Sequence, residues 1–453
     1  MESEIKHLPS ELFTNESLAR QLVLIKQAAS EAEQRINYES AHDEETLHAI
    51  HIVEAFLAKK RRICYGGQAI NAYLPAKHKF YDPEYSIPDY DFFTPNQNLD
   101  VEHLARDLFR AGFTDVSARE GMHEGTIKMY VNYVPVADIT SIHPSIYRML
   151  SKKASTIEGI HYIDANSLRM LMYLELSRPR GEVSRWEKVF ERLMLFNEFV
   201  PIRKMSRCST KSSHSLSPSQ VQFVLRYLIQ HERIFAGGDL VPFYDKALTS
   251  RKLSLSYLLT SKRPLIFYSP MPSEDADLLR GELGASVRVV MNQGLDIIPS
   301  IHMLHRKGKL LVLIIEQSEC HSYVNVKMGP NTLLRLASMD TLITLYFSLG
   351  FVQHAFIDRG AMECLANELV HISIRARRHP GTFLFPFISI ECQGHQTSLP
   401  SLIKAKLERM TVKKKDTLKG ILKEAERKGT RKGTRKRTQK ATQKATYNNG
   451  NSL

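Results

Sequence analysis

The chain has 453 residues, too many for one small core, so two or three domains are expected. Its hydrophobic (43%) and charged (24%) fractions are those of a soluble globular protein, and no apolar run approaches the roughly 20 residues of a membrane span. Net charge is +14, yet residues 404–453 hold 17 Lys and Arg against 4 Asp and Glu, a balance of +13 that leaves the body nearly neutral. In chain order, residues 16–36 and 43–61 carry apolar side chains at helical spacing and predict two helices in an N-terminal region, 1–61. Ile63, Cys64 and Tyr65 read as a short strand, Gly66-Gly67 as a turn, and QAINAYL as a helix. DYDFF, after a Pro- and Tyr-rich segment, reads as a strand, and 101–113 as a helix closed by Gly112. Three strands follow at 114–120, 126–132 and 134–142, then helices at 165–176 and 182–199, which complete a domain spanning 62–203. This order predicts an α+β mixed sheet with flanking helices.

Residues 204–218 are Ser-rich and end in Pro, as a linker does. A second α+β domain is expected over 219–403, with a helix at VQFVLRYLIQHERIF, a strand at ASVRVVM and a hairpin turning at Lys307-Gly308. Its helix ASMDTLITLYFSL echoes NSLRMLMYLEL, each ending Tyr-(Leu/Phe)-x-Leu from Tyr173 or Tyr346. The echo hints at a duplicated domain whose second copy lacks an Asp-x-Asp. Residues 404–453 are low-complexity, basic and expected to be disordered. The five cysteines, Cys64, Cys208, Cys320, Cys364 and Cys392, are odd in number, widely spaced and free of any C-x-x-C. Neither a disulfide framework nor a zinc site is expected from them, and a reducing compartment fits. The opening residues MESEIKHLPSELF contain no apolar stretch, so no secretory leader is expected.

The chemistry is concentrated in Cys64–Phe93. In a strand, residues i and i+2 face one side, so Asp89 and Asp91 project together while Tyr90 and Phe92 pack behind. Two carboxylates this close repel, and a divalent cation between them removes the penalty. A third acid, Asp138, lies in the apolar stretch VPVADITSI and also needs a partner. Alone, an Asp-x-Asp is more often a solvated edge and a Gly-Gly more often a plain turn. Their shared order is what argues for function. Three converging carboxylates are the layout for two Mg²⁺ (or Mn²⁺) ions that activate an attacking hydroxyl and stabilise a leaving pyrophosphate. Gly66 and Gly67 let backbone N–H groups approach phosphates at a helix start, and Asn71 in the first turns adds a polar contact.

This ordered constellation resembles the DNA polymerase β-like nucleotidyltransferase superfamily. The fuller wording, YGGQAIN, then IPDYDFF, then PVADIT, is similar to the poly(A) polymerase catalytic subunits of large cytoplasmic DNA viruses of the poxvirus, asfarvirus and mimivirus kind. The resemblance is specific over about 62–198. It implies that Gly66 and Gly67 hold the triphosphate of ATP, and that Asp89, Asp91 and Asp138 bind two metal ions. It also implies that Asp138 helps activate a primer 3′-hydroxyl. The 21 residues between Gly67 and Asp89 are a longer spacer than the superfamily's usual one. The second domain is expected to be a degenerate transferase-like copy.

Lys152, Lys153, Arg178, Arg180, Arg185 and Lys188 are candidates for the triphosphate or the RNA backbone, against the plainer reading that they are exposed or paired with Glu187 and Glu191 at helical spacing. Lys152, Lys153, Arg185 and Lys188 are the ones assigned to the nucleotide. Trp186 reads as core, and Tyr81 and Tyr85 as weak stacking candidates. In the tail, Lys413, Lys414, Lys415, Arg431, Lys432, Arg435, Lys436 and Arg437 offer a sequence-independent grip on RNA. The plainer readings of the tail are an address or a solubilising segment. The expected activity is template-independent addition of AMP from ATP to an RNA 3′ end, in host cytoplasm and virion. A homodimer or a viral processivity subunit is the expected protein partner, with no membrane. The rival reading is a non-catalytic RNA-binding scaffold with an inactive transferase fold.

Overall fold

The computed structural model describes residues 15–202, 208, 216–329, 332–378, 381, 383–386, 388–397 and 400–411. The chain divides into two compact units, 1–119 with 125–397, and 120–124 with 398–453. In the smaller unit, residues 400–411 are helical and Arg409 Nε lies 3.4 Å from Glu120 Oε2.

The larger unit opens with α1 (Asn15–Ala41) and α2 (Glu44–Lys60). Asp43 caps α2 by accepting from the Thr46 amide at 2.8 Å, and Arg61 closes it in the left-handed region. Then come β1 (Ile63–Tyr65), α3 (Gly66–Tyr73), β2 (Tyr90–Thr94), α4 (Gln97–Arg110), β3 (Val116–Glu120), β4 (Thr126–Val131) and β5 (Val134–Ser141). They are followed by α5 (Pro144–Lys153), β6 (Ser155–Ile157), β7 (Ile160–Tyr162), α6 (Ala165–Leu176) and α7 (Trp186–Phe199). The seven strands form one sheet in the order β3-β4-β5-β2-β1-β7-β6. β2 runs parallel to β5 and β1 parallel to β7, while β1/β2, β4/β5 and β6/β7 are antiparallel.

A second sheet follows α8 (Pro218–Gln230), whose Ser217 and Gln220 form a capping box. Its elements are β8 (Ile234–Phe235), α9 (Leu240–Lys246), β9 (Leu265–Ser269), α10 (Pro272–Leu283), β10 (Arg288–Asn292), β11 (Ile301–Arg306) and β12 (Lys309–Glu316). The sheet is completed by β13 (His321–Gly329), β14 (Thr332–Ala337), α11 (Met339–Leu349), α12 (Arg359–Arg378) and β15 (Cys392–Gln393). Strand order is β10-β11-β12-β9-β8-β14-β13-β15.

Shifted by seven strands, the second order repeats the first, with β15 added at one edge. The strand senses repeat too: β9/β12 and β8/β14 are parallel, while β8/β9, β11/β12 and β13/β14 are antiparallel. So does an internal ion pair. Arg62 Nε sits 2.6 Å from Asp100 Oδ2 of α4, and Arg233 Nε sits 2.7 Å from Asp275 Oδ2 of α10. Each arginine precedes the first strand of its sheet, and each aspartate lies on the helix after the second. The fold is thus a mixed α+β structure built from two copies of one plan, with α6 packed on α11.

Strands such as LLVLII in β12 are apolar on both faces because helices cover both sides of the sheet. Among the described residues, no helix is long and apolar enough to cross a membrane. The cysteine expectation is corrected: Cys208 is joined to Cys364 and Cys320 to Cys392, leaving Cys64 buried and free. Wide spacing in sequence says nothing against pairing once a fold brings distant segments together, here across 156 and 72 residues. Most of the expected linker, and all of 412–453, fall outside the described residues.

Candidate active site

The site is assembled at the junction of β1, α3, β2 and β5. Gly66 opens α3 at φ +72, in the region that favours glycine. A Cβ there would stand 2.3 Å from Asp91 Oδ2, so only hydrogen fits against that carboxylate. A Cβ on Gly67 would stand 2.3 Å from the Tyr81 hydroxyl and 3.0 Å from Arg192 Nη1. Gly66 is thus favoured both by its positive φ and by the close approach of Asp91, whereas at Gly67 a side chain would only press on the movable ends of Tyr81 and Arg192.

Asp91 and Asp138 are direct partners in the parallel β2/β5 register. Asp89 precedes β2 by one residue and is exposed. Across β4/β5, Lys128 is the partner of Asp138, and its Nζ lies 2.6 Å from Asp138 Oδ2. Asp138 is 9% exposed, and its other oxygen, Oδ1, is buried without a hydrogen-bond partner. Tyr65, at the end of β1, links its hydroxyl to Thr140 Oγ1 at 2.9 Å.

Burial, then the charges of Asp89 and Asp138, push the Asp91 carboxyl up to about 7. Loss of water, then the charge of Asp138, also raises Asp89, although that residue as a whole is exposed. The three acids feel one another across the sheet. They are not gathered into a finished cage: among the described residues no three Asp, Glu, His or Cys side chains converge on one point as metal ligands. Asp138 instead leans on Lys128. The donor set fits divalent cations: hard oxygens, mutually repelling, one of them a buried orphan.

Arg185, Lys188 and Arg192 supply positive charge beside these acids. Arg185 lies 3.0 Å from Glu175 and 3.4 Å from Glu182, and its charge acts on Asp91. The charge of Arg192 lowers Lys188, with burial and Arg185 adding to it. Arg192 reaches over the Phe80 ring at 4.3 Å and donates to the Tyr81 hydroxyl at 3.1 Å. Asn71 is occupied elsewhere: its Oδ1 accepts from the amides of Phe80 (2.9 Å) and Tyr81 (3.2 Å), pinning the long spacer against α3.

Lys152 and Lys153 end α5, where Lys152 is exposed and Lys153 faces Glu363 at 3.7 Å and the Phe351 ring. Arg178 is ion-paired with Glu319, and Arg180 is exposed. Trp186 donates to the Glu175 carbonyl at 3.0 Å and packs on the core, and Tyr85 lies near Tyr38. The eight basic tail residues lie outside the described residues.

Sequence reasoning missed Lys128 and Arg192. The register of VPVADIT against TIKMYV is the signal that could have found Lys128. It also missed a second Gly-Gly, Gly237-Gly238, which follows β8 as Gly66-Gly67 follows β1. The two sheets' registers match Asp91 to Ile266, Asp138 to Leu313 and Lys128 to Met303, and Asp89 falls at Pro264. These four polar side chains of the first site are all apolar in the second. What remains there is a cavity of about 20 Å³, lined among others by Gly238, Pro264, Ile266 and Leu313.

The fold thus sets two acids in register beneath a glycine-opened helix. The crystal structure of the Megavirus polyadenylate synthase has the same fold, with a TM-score of 0.70 and 19% identity over 91% of this chain and 86% of that one. Residues 51–182 match the family model described as "Poly(A) polymerase catalytic subunit". An African swine fever virus poly(A) polymerase catalytic subunit is 31% identical over 175 residues, 37% of this chain and 36% of that protein. Its counterpart in Acanthamoeba polyphaga mimivirus is 30% identical over 161 residues, 34% of this chain and 27% of that protein. The chain thus aligns with about a third of the length of these relatives.

Proposed function

We propose that the protein is a template-independent polynucleotide adenylyltransferase that adds AMP from ATP to the 3′ ends of viral mRNA. The observation that carries this reading is the register pair Asp91–Asp138, with the orphaned Oδ1 of Asp138, beneath Gly66. Asp89, Asp91 and Asp138 would hold two Mg²⁺ or Mn²⁺ ions. When bound, such ions lower the pKa of the attacking hydroxyl and neutralise the departing pyrophosphate. Gly66 and Gly67 leave room for the triphosphate against the start of α3, and Arg185, Lys188 and Arg192 balance its charge. The primer 3′-oxygen forms a bond to the α-phosphorus as the bond to pyrophosphate breaks, and no covalent enzyme intermediate is needed. Lys128 would keep Asp138 oriented until substrate arrives.

The scaffold reading is less favoured for one specific reason. The second sheet shows what loss of the site looks like, with Ile266, Leu313 and Met303 in place of the polar groups, and the first sheet has kept all three acids. Labelled ATP, Mg²⁺ or Mn²⁺ and an oligo(A) primer test the proposal. We expect extension by the wild type and loss in Asp89→Asn and Asp91→Asn, and a wild type that fails with either metal favours the scaffold. The same assay with UTP and CTP reads base choice.

A further inference from the structure

We infer that a cavity between the two copies of the plan takes an adenine base, with its sugar and phosphates left outside. The cavity, of about 360 Å³, is walled by α6 and α11 and lies at the carboxyl ends of the parallel strands β9 and β12, marked by Tyr268 and Glu316. Its volume and its place beyond the ends of parallel strands are those of small-ligand sites. It shares no lining residue with the degenerate site at Ile266 and Leu313, and none of Gly66, Gly67, Asp89, Asp91 and Asp138 lines it.

The walls are fixed before any ligand arrives. Leu295 and Ile298 exchange backbone hydrogen bonds of 2.8 and 2.9 Å, and the Gly294 amide donates to Ser300 Oγ at 2.9 Å. Asp296 accepts from the His143 amide of the first copy at 2.7 Å. On another wall, Cys320 is bonded to Cys392, which fixes the backbone between Glu319 and His321. Among the described residues, two buried nitrogens of this lining, Arg178 Nε and His321 Nε2, have no hydrogen-bond partner. Arg178 is paired with Glu319 through Nη2, so its Nε is the spare donor. His321 stacks on Tyr268 at 4.3 Å, and burial, then the charge of Arg178, pulls it down to about 3 and keeps the ring neutral. Asp296, Glu316 and Glu319 outnumber Arg178 in the lining, which disfavours a phosphate inside. The spare donor calls for a neutral acceptor, and the carboxylates call for N–H groups. A flat ring with a ring nitrogen as acceptor and an amino group as donor supplies both, and its faces suit Leu295, Ile298 and Leu345. Adenine is such a ring and is the base the proposed reaction would add. The choice of adenine rests on that reading, and the cavity itself does not.

The test is equilibrium dialysis of labelled adenosine against the full chain without metal. The wild type should bind it in preference to uridine, which has no amino group for the carboxylates. Ser318 lines the cavity and is exposed, so Ser318→Trp should fill it with the fold intact and weaken adenosine at least about tenfold. Arg178→Lys keeps a charge for Glu319 but loses the Nε donor, and should weaken adenosine about threefold to tenfold. Asp91→Asn, in the catalytic site, should leave adenosine within about twofold of the wild type. Oligo(A) or ATP should displace the label, and whichever does so at the lower concentration identifies the source of the base, strand or free nucleotide. A wild type that binds no adenosine, or binds it no better than uridine, overturns the inference whatever the primer-extension assay shows. So does an affinity unchanged by Ser318→Trp. A wild type that extends no primer yet binds adenosine in this cavity contradicts the proposed reaction and upholds the site.

Discussion

Asp91 is a carboxyl whose surroundings oppose its charge. Its pKa is raised to about 7, by burial first and then by Asp89 and Asp138. Between its ordinary value, 3.8, and about 7, the folded chain binds a proton that the unfolded chain has released, so stability falls as pH rises through this window. Asp91→Asn should therefore raise the unfolding free energy of metal-free protein at pH 8 by roughly 1–3 kcal/mol and leave it nearly unchanged at pH 4. Thermal melts at the two pH values check this, and a variant less stable at pH 8 contradicts it. Gly66→Ala meets both a positive φ and the Asp91 carboxylate, and should cost about 1–3 kcal/mol together with activity. The acids and the glycine pair were legible in the sequence because each residue type is costly in its apolar setting without a function. Lys128 was not, since a lysine in TIKMYV reads as the solvent face until the register sets it on Asp138. Arg192 was hidden in a helix where it reads as one of several i,i+4 partners.

At the scale of elements, the spacer between Gly67 and Asp89 is held by the Asn71 side chain and the Arg192 clamp on Phe80 and Tyr81, with His78 stacked on Phe199 and Tyr85 near Tyr38. Asn71→Ala removes the acceptor for two amides and should cost about 1–3 kcal/mol, with faster hydrogen exchange confined to residues 74–89. Exchange unchanged in that segment would show that the Arg192–Tyr81 contact suffices. The helices 165–176 and 101–113 were visible through their spacing, and the hairpin through Lys307-Gly308, both of which sit at positive φ. The strands β6 and β7 were not, because three residues are too few to show alternation. β14, TLLRLA, was not, because its leucines read as well for helix as for strand. Gln97–Arg110 begins four residues before the expected start, where Pro95 and Asn96 blurred the boundary.

For the whole molecule, the echo of two apolar helices pointed to duplication, but its alignment was approximate. Counted from the caps Asp164 and Ser338, Tyr173 and Tyr346 differ by one position. The stronger evidence, strand order and the paired Arg62–Asp100 and Arg233–Asp275, needs three dimensions. If the second copy is purely a scaffold, Arg233→Ala should destabilise it by about 3–5 kcal/mol, because the buried Asp275 loses its cation and keeps only hydroxyl donors such as Tyr227. Leu313→Asp should create no second activity. A chain ending at residue 403 should still add nucleotides but release primer sooner and with a weaker salt dependence. Unchanged product lengths would remove the tail from the account. The most direct test of the central claim is primer extension by Asp138→Asn beside the wild type, at saturating ATP with Mg²⁺ or Mn²⁺ and with folding checked by melting. The account predicts extension by the wild type and a fall of roughly 10²-fold or more in the variant with its fold intact. Extension at the wild-type rate by Asp138→Asn would contradict it.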